Sequence, residues 1–172
     1  MNLEKYDAFI EEQKNYFNQN LQSNFKWDWN DSSWYGGTIG SGWLLSRSGK
    51  THFTFGTIKK LKGIENNNID PVFQEFIKSV LILSYRKSNS KASPQKLYSE
   101  FLILKRWFSA LYTESTDNVH PCQLSTSILN KSFEILVENS SKTNLPDHAG
   151  TYLRLQEMLN HYGITEQPLE FS

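Results

Sequence analysis

The chain has 172 residues, 38% apolar and 14% aromatic, with 18 Lys/Arg balanced by 18 Asp/Glu, enough for one large domain or for one domain plus a smaller N-terminal unit. The longest apolar runs, Val80–Leu83 and Phe101–Leu104, are too short to span a bilayer, and Met1-Asn2-Leu3-Glu4-Lys5 lacks the apolar stretch that secretion requires. A single cysteine, Cys122, excludes an intramolecular disulfide and fits a reducing cytosol, so a cytoplasmic protein is expected.

From the N-terminus, Leu3, Tyr6, Ile10, Phe17 and Leu21 fall at helical spacing with Glu4, Glu11, Glu12 and Lys14 between them, which predicts one amphipathic helix. The texture then changes. From about Asn24 to Ile58 the chain holds four of the five tryptophans, Trp27, Trp29, Trp34 and Trp43, and most of the glycines. Phe25–Trp29 and Thr51–Phe55 alternate apolar and polar residues, the signature of half-buried strands. Asp31-Ser32-Ser33, Tyr35-Gly36-Gly37 and Arg47-Ser48-Gly49-Lys50 read as turns. The expectation is a small antiparallel sheet whose tryptophans form its core more readily than an exposed stacking surface. Lys59 to Asn68 reads as a linker, so the division is 1–68, then 69–172.

Beyond the linker the chain is helical. Asp70-Pro71 is an N-cap followed by proline at the first helical position, and Phe73, Phe76, Ile77, Val80, Leu81 and Leu83 give a broad apolar face up to Lys87. Ser93-Pro94 repeats the start signal. Leu97, Phe101, Leu104, Phe108 and Leu111 follow, with Leu102, Ile103 and Trp107 on the flanks, and predict the central helix of a bundle. A third helix is expected from about Ser125 to Glu138, with Leu129, Phe133 and Leu136 inward. A fourth starts after Pro146 with Asp147 near its N-terminus, carries Tyr152, Leu153, Leu155, Leu159 and Tyr162, and stops at Gly163. The fold class is therefore mainly α: four bundled helices preceded by a helix and a small Trp-rich β unit.

Motifs for chemistry fail one by one. Ser48-Gly49-Lys50-Thr51 lacks the P-loop glycine five residues before Gly49, where Leu44 stands, and is followed by a strand pattern instead of a helix. Gly37–Gly42 misses the dinucleotide-binding spacing. His52, His120, His148 and His161 include no pair at metal-ligand spacing, and His120-Pro121-Cys122 is too tight to hold zinc. No Gly-x-Ser-x-Gly occurs, and Glu11 and Glu12 fit a solvated helix face. No catalytic residue, metal or cofactor is expected.

Charge is distributed unevenly. Residues 1–58 carry five Lys/Arg and six Asp/Glu (net −1), residues 59–106 ten and four (net +6), and residues 107–172 three and eight (net −5). A basic middle between neutral and acidic ends suits a polyanion, and also suits an ordinary solvated surface.

The order of features from Asp70 to Ser172 resembles the core-binding, SAM-like domain of tyrosine recombinases (phage-type integrases). The resemblance lies in Phe76-Ile77-Lys78-Ser79-Val80-Leu81, then the polar loop Ser88 to Ala92, then Leu97-x-x-x-Phe101-x-x-Leu104-Lys105-Arg106-Trp107-Phe108-x-x-Leu111. Pro121-Cys122-Gln123-Leu124-Ser125 follows, then Leu159–Ile164 and Pro168-Leu169-Glu170-Phe171. It covers about 100 of the 172 residues, in patterns of residue type. It implies a part of a recombinase that grips double-stranded DNA for integration or recombination, with self-association among recombinase protomers allowed. The family's catalytic arginine, lysine, His-x-x-Arg pair and tyrosine nucleophile have no counterpart: three residues after His148 stands Thr151, and three after His161 stands Ile164. The chain is thus not expected to be an enzyme by itself, and the gene is expected to continue past Ser172 into a catalytic domain.

The residues away from the apolar stripes that would meet DNA are Arg86, Lys87 and Lys91 at the end of the first helix of this region and in its loop. Lys96, Ser99, Lys105 and Arg106 follow on the second helix, and Thr151 and Arg154 on the last. Lysine and arginine would neutralise phosphates, and Arg106 or Arg154 could reach a guanine edge. The competing expectation is a helical protein-interaction domain that docks through the Trp-rich sheet, discriminated by an exposed apolar patch in place of a basic face.

Overall fold

The 3.6-residue period of the first twenty positions has its counterpart in the computed structural model, where helix α1 runs Glu4–Asn20 and buries Tyr6, Phe9, Ile10, Gln13 and Phe17. The structure describes residues 3–21, 28–35, 52–55, 69–88, 97–105, 107, 120–138 and 145–170. Glu4 and Asp7 occupy the first turn of α1, where carboxylates favour the positive helix end. Leu3, expected to face inward, is 36% exposed; as the N-cap residue it precedes the turn that presents Tyr6 and Phe9 to the core. Phe9 and Gln13 complete the buried stripe in its place.

The expected small sheet is present as two three-residue strands, β1 (Ser33–Tyr35) and β2 (His52–Thr54). They pair antiparallel in the register Ser33↔Thr54, Trp34↔Phe53, Tyr35↔His52. The boundaries differ from the sequence reading. Asp28–Ser32, partly assigned to a strand by alternation, is a turn: the Asp28 N–H donates to Asp31 Oδ2 at 2.9 Å and the Asp31 N–H to the Asp28 carbonyl at 3.1 Å. A local Asp side chain satisfying the backbone overrides the alternation. Ser33 and Tyr35, read as turn residues, belong to β1 instead. Trp29 and Trp34 are buried, and Phe17 of α1 stacks on Trp34 with ring centroids 4.6 Å apart. The other expected turns, Trp27, Trp43 and the linker 59–68 lie outside the described residues.

Helix α2 spans Pro71–Lys87, with the Asp70 carboxylate accepting from the Val72 N–H at 2.9 Å and Pro71 in the first turn, as expected. Its predicted face is buried, and so are Lys78, Ser79, Ile82 and Tyr85, which leaves little of its circumference to solvent. The uninterrupted run Val80–Leu83 has this consequence: four successive apolar residues point in all directions and need neighbours on every side. Helix α3, residues 97–105, buries Leu97, Phe101 and Leu104 as expected. Trp107, assigned to a flank, is fully buried, its ring stacked on Tyr152 at 4.8 Å and on Phe133 at 5.8 Å. Phe108 and Leu111 lie outside the described residues.

The proline-bearing connection forms a 3-10 turn, Pro121–Gln123, capped reciprocally: His120 Nδ1 accepts from the Cys122 N–H, and Gln123 Oε1 accepts from the His120 N–H. Helix α4 (Thr126–Glu138) starts with Ser125 Oγ accepting from the Ile128 N–H and buries Leu129. Helix α5 runs Leu145–Tyr162. Tyr152, Leu155 and Leu159 face the core, but Leu153 is 46% exposed, its position lying off the stripe that Tyr152, Leu155 and Leu159 define. Gly163, at φ 62°, closes α5 as expected: its N–H donates to the Asn160 carbonyl and that of Ile164 to Leu159, a Schellman end. Residues 164–170 fold back along the bundle. There the Asn160 side chain pairs with both backbone groups of Leu169, at 2.7 and 2.8 Å.

The described chain is mainly helical, with five α-helices. One apolar core extends from Tyr6 and Phe9 of α1 through the hairpin and α2 to Leu155, Leu159 and Leu169, so it crosses the sequence boundary at residue 68. No described helix is long and apolar enough to cross a membrane.

Candidate nucleic-acid interface

The last turn of α2, the middle of α3 and the middle of α5 enclose a recess of about 50 Å³. Its floor is apolar, from Val80 and Leu83 of α2, Leu104 of α3, and Leu155 and Met158 of α5. Its rim is polar: Ser84 and Lys87 come from α2, Glu100 from α3, and Thr151 and Arg154 from α5. Helical spacing accounts for this local pattern. Leu83, Ser84 and Lys87 share one side of α2, and Thr151, Arg154, Leu155 and Met158 share one side of α5. Three of the residues expected from sequence to meet DNA, Lys87, Thr151 and Arg154, therefore come together here.

Their roles differ. Thr151 is 3% exposed, and its hydroxyl oxygen accepts from Arg154 Nη2 at 3.1 Å, so it orients the guanidinium. Gly150 leaves room for that guanidinium: a Cβ there would stand 3.3 Å from Arg154 Nη1. Lys87 and Arg154 are exposed, and among the described residues neither has a carboxylate oxygen within 4.0 Å. Glu100 is held by α2, its Oε1 accepting from the Ser84 hydroxyl at 2.7 Å.

The other expected residues go elsewhere. Arg86 faces α1, where Nη1 donates to Gln13 Oε1 at 3.0 Å and lies 3.6 Å from Glu12 Oε1, while the guanidinium stacks 4.7 Å from the Tyr16 ring centre. It fastens α1 to α2. Lys105 reaches the sheet, donating from Nζ to the Thr54 carbonyl at 2.9 Å and lying 4.8 Å over the Phe101 ring. Burial pushes its pKa down. Ser99 is exposed on α3. Lys91, Lys96 and Arg106 lie outside the described residues. Sequence reasoning passed over Ser84 and Glu100; that Glu100 is the one carboxylate between residues 76 and 106 was the available signal for it.

A second, shallower cleft of about 400 Å³ lies between α1 and the end of α5, lined by Lys5, Phe9, Glu12, His161 and Tyr162 among others. Among the described residues no group of three or more His, Cys, Asp or Glu could hold a metal. No protein-family model, curated protein or solved structure matches this chain.

Proposed function

We propose that this chain binds double-stranded DNA through the phosphate backbone, as the gripping and non-catalytic part of a site-specific recombinase or integrase, with α2–α5 as its SAM-like four-helix unit. One observation carries the reading. Lys87 and Arg154, from helices far apart in sequence, meet at one recess as exposed cations without a carboxylate within ion-pair reach among the described residues. Lysine supplies a point charge and arginine a planar fork, and both suit phosphate oxygens. The basic stretch 59–106, at net +6, supports the same reading. Of the Trp-rich unit's described tryptophans, Trp29 and Trp34 are buried among Phe17 and Phe55 instead of exposed, which does not favour the competing docking role for them.

Fluorescence anisotropy with a random duplex of about 30 base pairs at low salt tests the proposal, with affinity expected on the order of micromolar. The Lys87→Ala/Arg154→Ala pair is expected to weaken binding and flatten the dependence of log affinity on log salt by about two units. Undiminished binding by the double variant rejects this face.

A further inference from the structure

The recess is not lined as a simple phosphate cradle would be, because Glu100 shares the lining with the two cations and Val80, Leu83, Leu104, Leu155 and Met158 make half of it apolar. We propose that it holds the edge of an unpaired nucleotide: the phosphate lies on Lys87 and Arg154, and Glu100 accepts a hydrogen bond from the exocyclic amine of the base. This rests on the phosphate-binding role of Lys87 and Arg154 and adds a substrate preference to it.

Glu100 sets the preference. A carboxylate is an acceptor only, and a site built solely for phosphate gains nothing from one at its rim, since like charges repel. Here the Ser84 hydroxyl fixes Oε1 at 2.7 Å. Among the described residues no donor meets Oε2, so its lone pairs are open to a ligand that brings one. In DNA, the donor at the outer edge of a base that a small recess reaches is the exocyclic amine, and carboxylate to cytosine N4 is an established pairing chemistry.

Shape selects the unpaired base. The groove edges of a duplex are themselves recessed and cannot enter a hollow in a helical surface, whereas a splayed base projects. A recess of about 50 Å³ takes an amine and the adjoining ring edge, not a whole base. The floor of Leu104 and Met158 suits the ring edge, and Met adapts to irregular shapes. Recombination intermediates aside, any gap, bubble or single strand would present such a nucleotide.

The test uses the full chain with oligo(dC) and oligo(dT), each of about a dozen nucleotides, at low salt and at mildly alkaline pH where cytosine N3 is unprotonated. Cytosine offers Glu100 an amine where thymine offers a carbonyl, so oligo(dC) is expected to bind roughly three- to tenfold tighter, the worth of one hydrogen bond. Glu100→Gln should tighten oligo(dT) by removing repulsion and bring the dC/dT ratio close to one. Ser84→Ala, which keeps the carboxylate but frees it, should reduce the ratio without inverting it. Equal affinity for the two oligonucleotides, lost in the Lys87→Ala/Arg154→Ala variant, overturns the role of Glu100 and leaves phosphate binding standing. So does a Glu100→Gln variant that tightens both equally. Binding of both that ignores the double variant overturns the phosphate reading as well.

Discussion

Lys78 of α2 donates its buried ammonium to the backbone carbonyl of Trp29 at 2.5 Å. A second bond, 2.8 Å to the Asp31 carbonyl, makes Lys78 the peg on which the turn before β1 hangs. The rings of Phe55 and Trp34 lie 5.0 and 5.5 Å from the same nitrogen. The side chain is 5% exposed, and burial pushes its pKa down to about 8, against the opposing pull of the Glu75 and Asp31 carboxylates.

The consequence for stability has a definite sign. Between about 8 and the ordinary lysine value of 10.5, the unfolded chain holds a proton that the folded chain has released. Stability should therefore rise with pH through that window, by on the order of 1–3 kcal/mol from Lys78. Tyr6 and Cys122 oppose the rise, because burial raises both pKa values and folding then resists an ionisation that the unfolded chain undergoes. These groups are common to the wild type and Lys78→Met, so the difference isolates the lysine. In urea unfolding, the stability of wild type relative to Lys78→Met should grow as pH rises from about 7.5 to 10. Parallel curves would show that the ammonium is not desolvated.

A histidine cap gives the opposite end of the pH scale. His120 Nδ1 accepts from the Cys122 N–H at 3.1 Å, which requires that nitrogen to be unprotonated, and the ring lies edge-on to Tyr6 at 4.4 Å. Burial lowers its pKa below the ordinary 6.5, although Asp7 and Asp70 pull the other way. The stability of the folded turn is therefore full above 6.5 and is lost as pH falls through the folded pKa. A helix-cap bond of this kind is worth about 1 kcal/mol. His120→Asn keeps a capping oxygen without a titrating proton, so its thermal unfolding midpoint should fall less than that of wild type between about pH 7.5 and 5. Equal falls would mean that the cap does not titrate.

The four-three spacing of α3 predicts a further stability effect. Phe101 is 1% exposed and meets Phe53 and Phe55 of the hairpin at ring separations of 5.4 and 5.3 Å. It joins the helices to the sheet, so Phe101→Ala should cost roughly 3–5 kcal/mol. A loss under about 1 kcal/mol in denaturant unfolding would contradict this packing.

What the sequence made legible was what local chemistry decides. Asp70-Pro71 capped α2, Gly163 stopped α5, and the spacing of Leu97, Phe101 and Leu104 set the inward face of α3. Periodicity could not say which cations would be spent inside the fold. Arg86 and Lys105 looked like surface charges, but their partners, Gln13 and the Thr54 carbonyl, lie 73 and 51 positions away. The same distance problem hid Trp107, which looked peripheral on its own helix until α4 and α5 supplied Phe133 and Tyr152. Within the candidate site, Lys87, Thr151 and Arg154 were legible as residue types on polar faces. Their meeting, and the Ser84–Glu100 bond at the same recess, depends on how three helices cross.

Gly163 joins backbone conformation to packing, and the two contributions can be separated. At φ 62° an L side chain is strained, and a Cβ would stand 3.0 Å from Lys5 Cδ and 3.1 Å from Nζ. Lys5 thus lies across the end of α5, where its ammonium faces a helix terminus rich in carbonyl oxygens. Gly163→Ala is expected to destabilise by about 1–2 kcal/mol, the cost of a left-handed alanine. The Lys5 contact is with the far end of a flexible chain, which can swing aside. In a double-mutant cycle, the cost of Gly163→Ala should therefore be nearly the same in a Lys5→Ala background, with coupling below about 0.5 kcal/mol. A cost that disappears in that background would assign the effect to the clash with Lys5 and show that the positive φ is not what requires glycine.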